Sequence, residues 1–133
     1  MSAITTPSSN GITAQAAKLK PKVSSGARIN SILLDEKGII ICLEVGEHLP
    51  KEYQDVFLDN IANNCSEYLI ISWAVRNQEG YGHYNELNND EIIPEITKRG
   101  FSHLHEVSEE LRLIPEDHCS YFRNTLMVFK KDN

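Results

Sequence analysis

Glu44, Glu47, His48, His83 and Asn85 are the side chains of this sequence best suited to chemistry, and all five sit beside a strong strand signal or in a glycine-containing loop. The stretch Ile39-Ile40-Ile41-Cys42-Leu43-Glu44-Val45-Gly46-Glu47-His48-Leu49-Pro50 passes from an apolar run to acid, glycine, acid, histidine and proline. Such a run suits a strand buried on both faces of a sheet, and the carboxyl ends of strands are where open α/β sheets bind ligands. His48 is the first candidate for a proton acceptor, since an imidazole with an ordinary pKa near 6.5 can take a proton from a hydroxyl or amine. Its plainer role is a hydrogen bond that orients the strand-to-helix turn. Glu47 would diverge from His48 by about 100° at a helix start, so it reads as a first-turn acid favoured by the helix dipole. Glu44 either meets a ligand or faces solvent. In Gln78-Glu79-Gly80-Tyr81-Gly82-His83-Tyr84-Asn85, the glycines permit close turns, and His83 and Asn85 offer donors and acceptors to a polar molecule. The bland alternative is a solvated loop.

Other reactive types are less promising. His103 and His105 would share one face of a strand, but two ligands do not make a zinc site, and no metal-binding set is expected. Cys42, Cys65 and Cys119 form no CxxC pair and read as reduced thiols of a cytoplasmic protein, Cys42 being inert within an apolar strand. Trp73 and Tyr121-Phe122 have the character of core residues.

The elements that must position these groups follow from periodicity. Residues 1–26 are polar and small, and are expected to be disordered ahead of one α/β domain spanning 27–133. Ile29–Leu34 is apolar and precedes the turn sequence Asp35-Glu36-Lys37-Gly38, which predicts a hairpin onto the strand Ile39–Glu44. Tyr53, Val56, Phe57 and Ile61 form one stripe of a helix over 51–64, entered through Pro50. Tyr68–Trp73 reads as a second buried strand and residues 76–89 as a long loop. Asn88 with Glu91 is a capping-box pattern for a helix closed at Gly100. A strand Phe101–Leu104, a short helix at Ser108–Leu113 and a last strand Asn124–Phe129 complete the order.

The 133 residues carry a formal charge of −6 with a pI near 5.3. Lys18, Lys20, Lys22 and Arg28 make residues 1–34 +4 with no acid, so the remainder stands at −10 against the total of −6. Binding to nucleic acid through phosphate neutralisation is not expected of so acidic a domain. No run approaches the roughly 20 apolar residues of a membrane span, so no membrane partner is expected either.

Taken with Ser72-Trp73-Ala74-Val75, Gly80-Tyr81-Gly82-His83-Tyr84-Asn85 and Asn124-Thr125-Leu126-Met127-Val128-Phe129, the Ile39–Pro50 stretch resembles the C-terminal half of a class I S-adenosylmethionine-dependent methyltransferase. The resemblance implies a partial doubly wound, Rossmann-like sheet ending in an antiparallel hairpin, with the first half of the fold missing. It implies S-adenosylmethionine as cofactor where the site is completed, with Leu43, Glu44 and Val45 bordering its methionine portion. His48 and Glu44 become the candidate catalytic residues, and Trp73, His83 and Asn85 flank the pocket of a small or peripheral polar acceptor. Where such proteins tend to have proline and glycine, this chain has Arg76 and Asn77, and no glycine-rich cofactor loop is recognisable between Met1 and Leu34. Whether the chain is itself an enzyme is therefore open. The alternative is a non-catalytic, methyltransferase-derived module that pairs with itself as a homodimer or with a complementing subunit.

Overall fold

Alternation along two apolar strands determines the architecture of the computed structural model, which describes residues 32–34 and 37–133. The first strand, β1 (Ile32–Leu34), pairs antiparallel with β2 (Ile40–Leu43), in the register Ile32 to Cys42 and Leu34 to Ile40. Beyond a helix α1 (Gln54–Asn64), β3 (Tyr68–Ser72) lies parallel to β2, with Ile40 opposite Leu69 and Leu43 opposite Ser72. The chain continues through α2 (Asn89–Thr97), β4 (Phe101–His103), α3 (His105–Leu111) and a single helical turn α4 (Phe122–Thr125) into β5 (Met127–Lys131). The five strands form one mixed sheet in the order β1-β2-β3-β5-β4, β5 being antiparallel to both neighbours. The protein is thus an α/β domain. Two strands antiparallel to the same β5 run in a common direction, so β2, β3 and β4 all deliver their carboxyl ends to one edge of the sheet.

The two faces of that sheet are buried by different helices. Ile32, Leu34, Ile40, Cys42, Leu69, Ile71, Met127 and Phe129 pack on one face against Phe57, Leu58 and Ile61 of α1 and Ile92 and Ile96 of α2. Residues one step out of phase, Ile41, Leu43, Ile70 and Val128, meet Leu104, Leu111, Phe122 and Leu126 on the other face. Successive strand side chains point to opposite faces, which is why unbroken apolar runs are needed here. The first face is the larger core. Full burial of each Leu, Ile or Phe there contributes about 1.5–3 kcal/mol.

Several expected boundaries shift. The 51–64 helix opens with a 3-10 turn at Lys51–Tyr53 before the α-helical hydrogen bonding of α1 begins, and of the expected stripe only Phe57 and Ile61 are buried: Tyr53 and Val56 are exposed, while Leu58 and Ala62 face the core. The last strand starts at Met127 rather than Asn124, because residues 122–125 close a helical turn and Thr125 Oγ1 donates back to the Tyr121 carbonyl, 3.0 Å away. The helix expected at Ser108–Leu113 begins earlier, at His105, so His103 and His105 do not share a strand face: one ends β4 and the other starts α3. The capping box at Asn88 and Glu91 is present as expected. The predicted disordered segment 1–26 and the start of the first strand at 29–31 lie outside the described residues. Among the described residues no helix is long and apolar enough to cross a membrane.

Candidate functional site

Two sharp features turn the chain at the carboxyl end of β2. Glu44 holds a left-handed backbone, φ 52°, a conformation uncommon for a residue with a side chain. It is fixed there by β3 and the loop that follows: its amide donates to Ser72 Oγ at 3.0 Å, and its carboxylate accepts from the same hydroxyl at 2.9 Å and from Gln78 Nε2 at 2.8 Å. Gly46 follows two residues later, and a Cβ placed on it would sit 2.2–2.5 Å from three ring carbons of Trp73. Only glycine lets the backbone lie flat on that ring. These constraints tighten Gly46–His48 into a 3-10 turn.

The loop after β3 closes over this turn. Trp73, fully buried, donates its indole N–H to the Asn85 carbonyl at 2.7 Å, and the Tyr84 and Asn85 amides both donate to the Glu47 carbonyl, at 2.7 and 3.0 Å. Asn85 Nδ2 reaches Gln54 Oε1 on α1 at 2.7 Å. At the loop's outer end Arg76 forms a two-pronged ion pair with Glu91, 2.8 and 2.5 Å, which holds the Glu91 carboxyl down at about 2. Asn77 takes φ 70°, the left-handed region in which asparagine is among the better tolerated side chains.

Inside this closure lie Glu47, His48 and His83, one ligand-type atom of each within 4.8 Å of the others. The two imidazole rings meet edge to face with centroids 4.9 Å apart. His48 Nδ1 lies 3.1 Å from the Gly82 carbonyl oxygen, and His83 Nδ1 lies 2.8 Å from Glu86 Oε2. The Glu86 carboxylate also accepts the amides of Asn77 and Glu79, and its pKa is lowered, first by His83. Glu47 is wholly buried, and among the described residues neither of its carboxylate oxygens makes a hydrogen bond of ordinary length and angle. Burial, and after it the neighbouring Glu44 carboxylate, push its pKa up to about 8 despite backbone groups of Glu47 and Ala74 close by. The same burial raises Cys42, with Glu47 and Glu44 adding to the shift, which makes that thiol unreactive.

The sequence-derived candidates therefore separate. Glu44, His48, His83 and Asn85 gather at the carboxyl edge of β2 and β3. Val45 and Trp73 are buried among core residues, where Trp73 supports the loop from beneath, and Leu43 packs on the opposite sheet face. Glu47 sits in the first turn as expected, yet its side chain points inward rather than capping a helix in solvent. Its association with His83 was not legible in the sequence; the faint signal was an acid immediately before a histidine, opposite a second histidine flanked by glycine. A polar cavity of about 420 Å³ opens beside the group, lined by Lys51, Arg76, Asn77, His83, Tyr84, Asn85 and Glu86. A second of about 420 Å³, apolar, lies on the far sheet face among Leu111, Ile114, Pro115, Phe122 and Leu126. No family model, curated protein or solved structure matches this chain.

Proposed function

We propose that this domain supports methyl transfer from S-adenosylmethionine to a small polar acceptor, as the acceptor-bearing half of a Rossmann-like methyltransferase site. The observation that carries the reading is the convergence, at the carboxyl ends of parallel β2 and β3, of a held carboxylate, Glu44, with a proton acceptor, His48. Methyl transfer is mainly a matter of alignment: sulfonium, methyl and acceptor lone pair must lie in line in a water-poor pocket. In this reading Glu44, at its strained left-handed position, meets the methionine portion of the cofactor. His48 takes the proton that the acceptor gives up as its oxygen or nitrogen bonds to the methyl group. The polar cavity lined by His83, Asn85 and Tyr84 admits the acceptor. The strand order β2-β3-β5-β4, with an antiparallel strand inserted before the last parallel one, agrees with the resemblance noted in the sequence.

The test is a titration of isotopically labelled chain with S-adenosylhomocysteine, followed through backbone amide resonances. One wall of a cofactor pocket is expected to give a dissociation constant of about a millimolar, roughly −4 kcal/mol. Saturable shifts centred on Leu43–Gly46 and reduced in Glu44→Ala support the reading. Absence of shifts at those amides overturns it in favour of a non-catalytic module.

A further inference from the structure

Glu47 presents a question that methyl transfer does not answer. A carboxyl group taken wholly out of water with no hydrogen bond of ordinary length and angle among the described residues, and with the Glu44 carboxylate close by, costs stability, and natural cores seldom keep one. Here the group is held in place by its own backbone, whose carbonyl is the anchor for Tyr84 and Asn85, so the closed loop fixes the carboxylate beside two imidazoles. Each of those imidazoles has one nitrogen against an acceptor: His48 Nδ1 against the Gly82 carbonyl, His83 Nδ1 against Glu86. A proton held at Nδ1 puts the ring's lone pair on Nε2, and an acceptor behind the ring is the usual support of a metal-bound histidine.

We propose that Glu47, His48 and His83 form a binding site for a divalent transition-metal ion of the zinc class, supported by Glu86 and the Gly82 carbonyl. Two nitrogens and one carboxylate are a donor set that suits zinc and its neighbours better than magnesium, which prefers six oxygens. The spread of up to 4.8 Å between ligand atoms exceeds the roughly 3.3 Å separation of ligands about a tetrahedral zinc with bonds near 2.0 Å. Loading therefore requires the three ligand atoms to close up from their present spacing. Three protein ligands leave a position open, and one of the three, His83, also lines the polar cavity. Zinc binding is read out without cofactor or acceptor, and a bound ion would occupy the His48 nitrogen that proton transfer needs, so the metal site and the base are alternative roles of His48 that zinc titration tells apart.

Calorimetric titration of chelator-treated chain with zinc chloride tests the assignment, with cobalt(II) absorption as a second probe. One ion per chain is expected at micromolar affinity or tighter, with a cobalt spectrum free of thiolate charge-transfer bands. Glu47→Gln, His48→Ala and His83→Ala should each weaken zinc binding by at least tenfold, and Glu86→Gln by about 10- to 100-fold, the effect usual for a supporting acceptor. Glu47→Gln keeps the shape of the side chain and secures a folded variant, checked by far-UV circular dichroism. Affinity within threefold of wild type in Glu47→Gln, a thiolate band with cobalt, or no binding at micromolar zinc would each overturn the site.

Discussion

Glu47 is the residue at which this chain departs furthest from a well-satisfied core. A neutral amide of the same shape should relieve the charge while leaving packing intact, as when stability is recovered at a site kept for function. In chelator, Glu47→Gln is therefore expected to be more stable than wild type by about 1–2 kcal/mol at pH 8, read from urea midpoints. A loss of stability would mean that the carboxylate has a partner in the folded chain. His48 supplies the second prediction at this scale. If it accepts the acceptor's proton, His48→Ala lowers methyl-transfer turnover by about 10²- to 10⁴-fold in a folded variant. Turnover within a factor of two of wild type would instead confine His48 to holding the Gly82 carbonyl.

Between elements, the contacts that matter are small residues under large ones. Gly46 lies against the Trp73 ring, so Gly46→Ala must displace either the indole, with its hydrogen bond to Asn85, or the end of β2. Overpacking of this kind costs about 1–3 kcal/mol, and the loop over residues 80–85 should loosen with it. A drop in thermal midpoint together with faster exchange of the Tyr84 and Asn85 amides is the expected result; an unchanged midpoint would argue that Trp73 is not packed as described. The joint of β4, α3 and β5 gives a pH-dependent counterpart. Ser108 Oγ accepts the Val128 amide at 2.9 Å and lies 3.3 Å from His103 Nε2. Burial lowers the His103 pKa, with His105 and Arg112 adding to the shift. A histidine whose folded pKa is depressed binds fewer protons folded than unfolded, so its contribution is present above pH 6.5 and is lost as pH falls through the folded value. The urea midpoint should thus decline from pH 7.5 to 5 more steeply in wild type than in His103→Gln.

For the molecule as a whole, the decisive arrangement is the cover over β2. A strand as apolar as Ile40–Leu43 would be hazardous at an open edge, and β1 pairs with it through the register Leu34 to Ile40 and Ile32 to Cys42 while β3 pairs on the other side. Amides of Ile40 to Leu43 should accordingly be among the slowest to exchange with deuterium in the intact chain. Rapid exchange there, in a monomer by light scattering, would remove the five-stranded order and with it the placement of Glu44 and His48.

The sequence by itself determined most of the elements and the burial of the strands. Continuous apolar runs dictated β2 and β3, the three-and-four spacing of Tyr53, Val56, Phe57 and Ile61 dictated that a helix forms there, though only Phe57 and Ile61 of that stripe are buried, and the Asn88–Glu91 pair dictated the start of α2, because each depends on residues within a few positions of one another. It also brought out Glu44, His48, His83 and Asn85 as the polar groups at the ends of those elements. Boundaries were less legible where a local hydrogen bond competed with a strand, as at Thr125. What only the tertiary structure decided was which of these groups meet. His83 reaches His48 and Glu47 across 35 and 36 positions of chain because the loop is pinned by the Trp73 indole and the Glu47 carbonyl, contacts that no local periodicity encodes. The burial of Glu47 has the same origin: a residue that local sequence assigns to a first turn is enclosed by the loop that leaves the carboxyl end of β3.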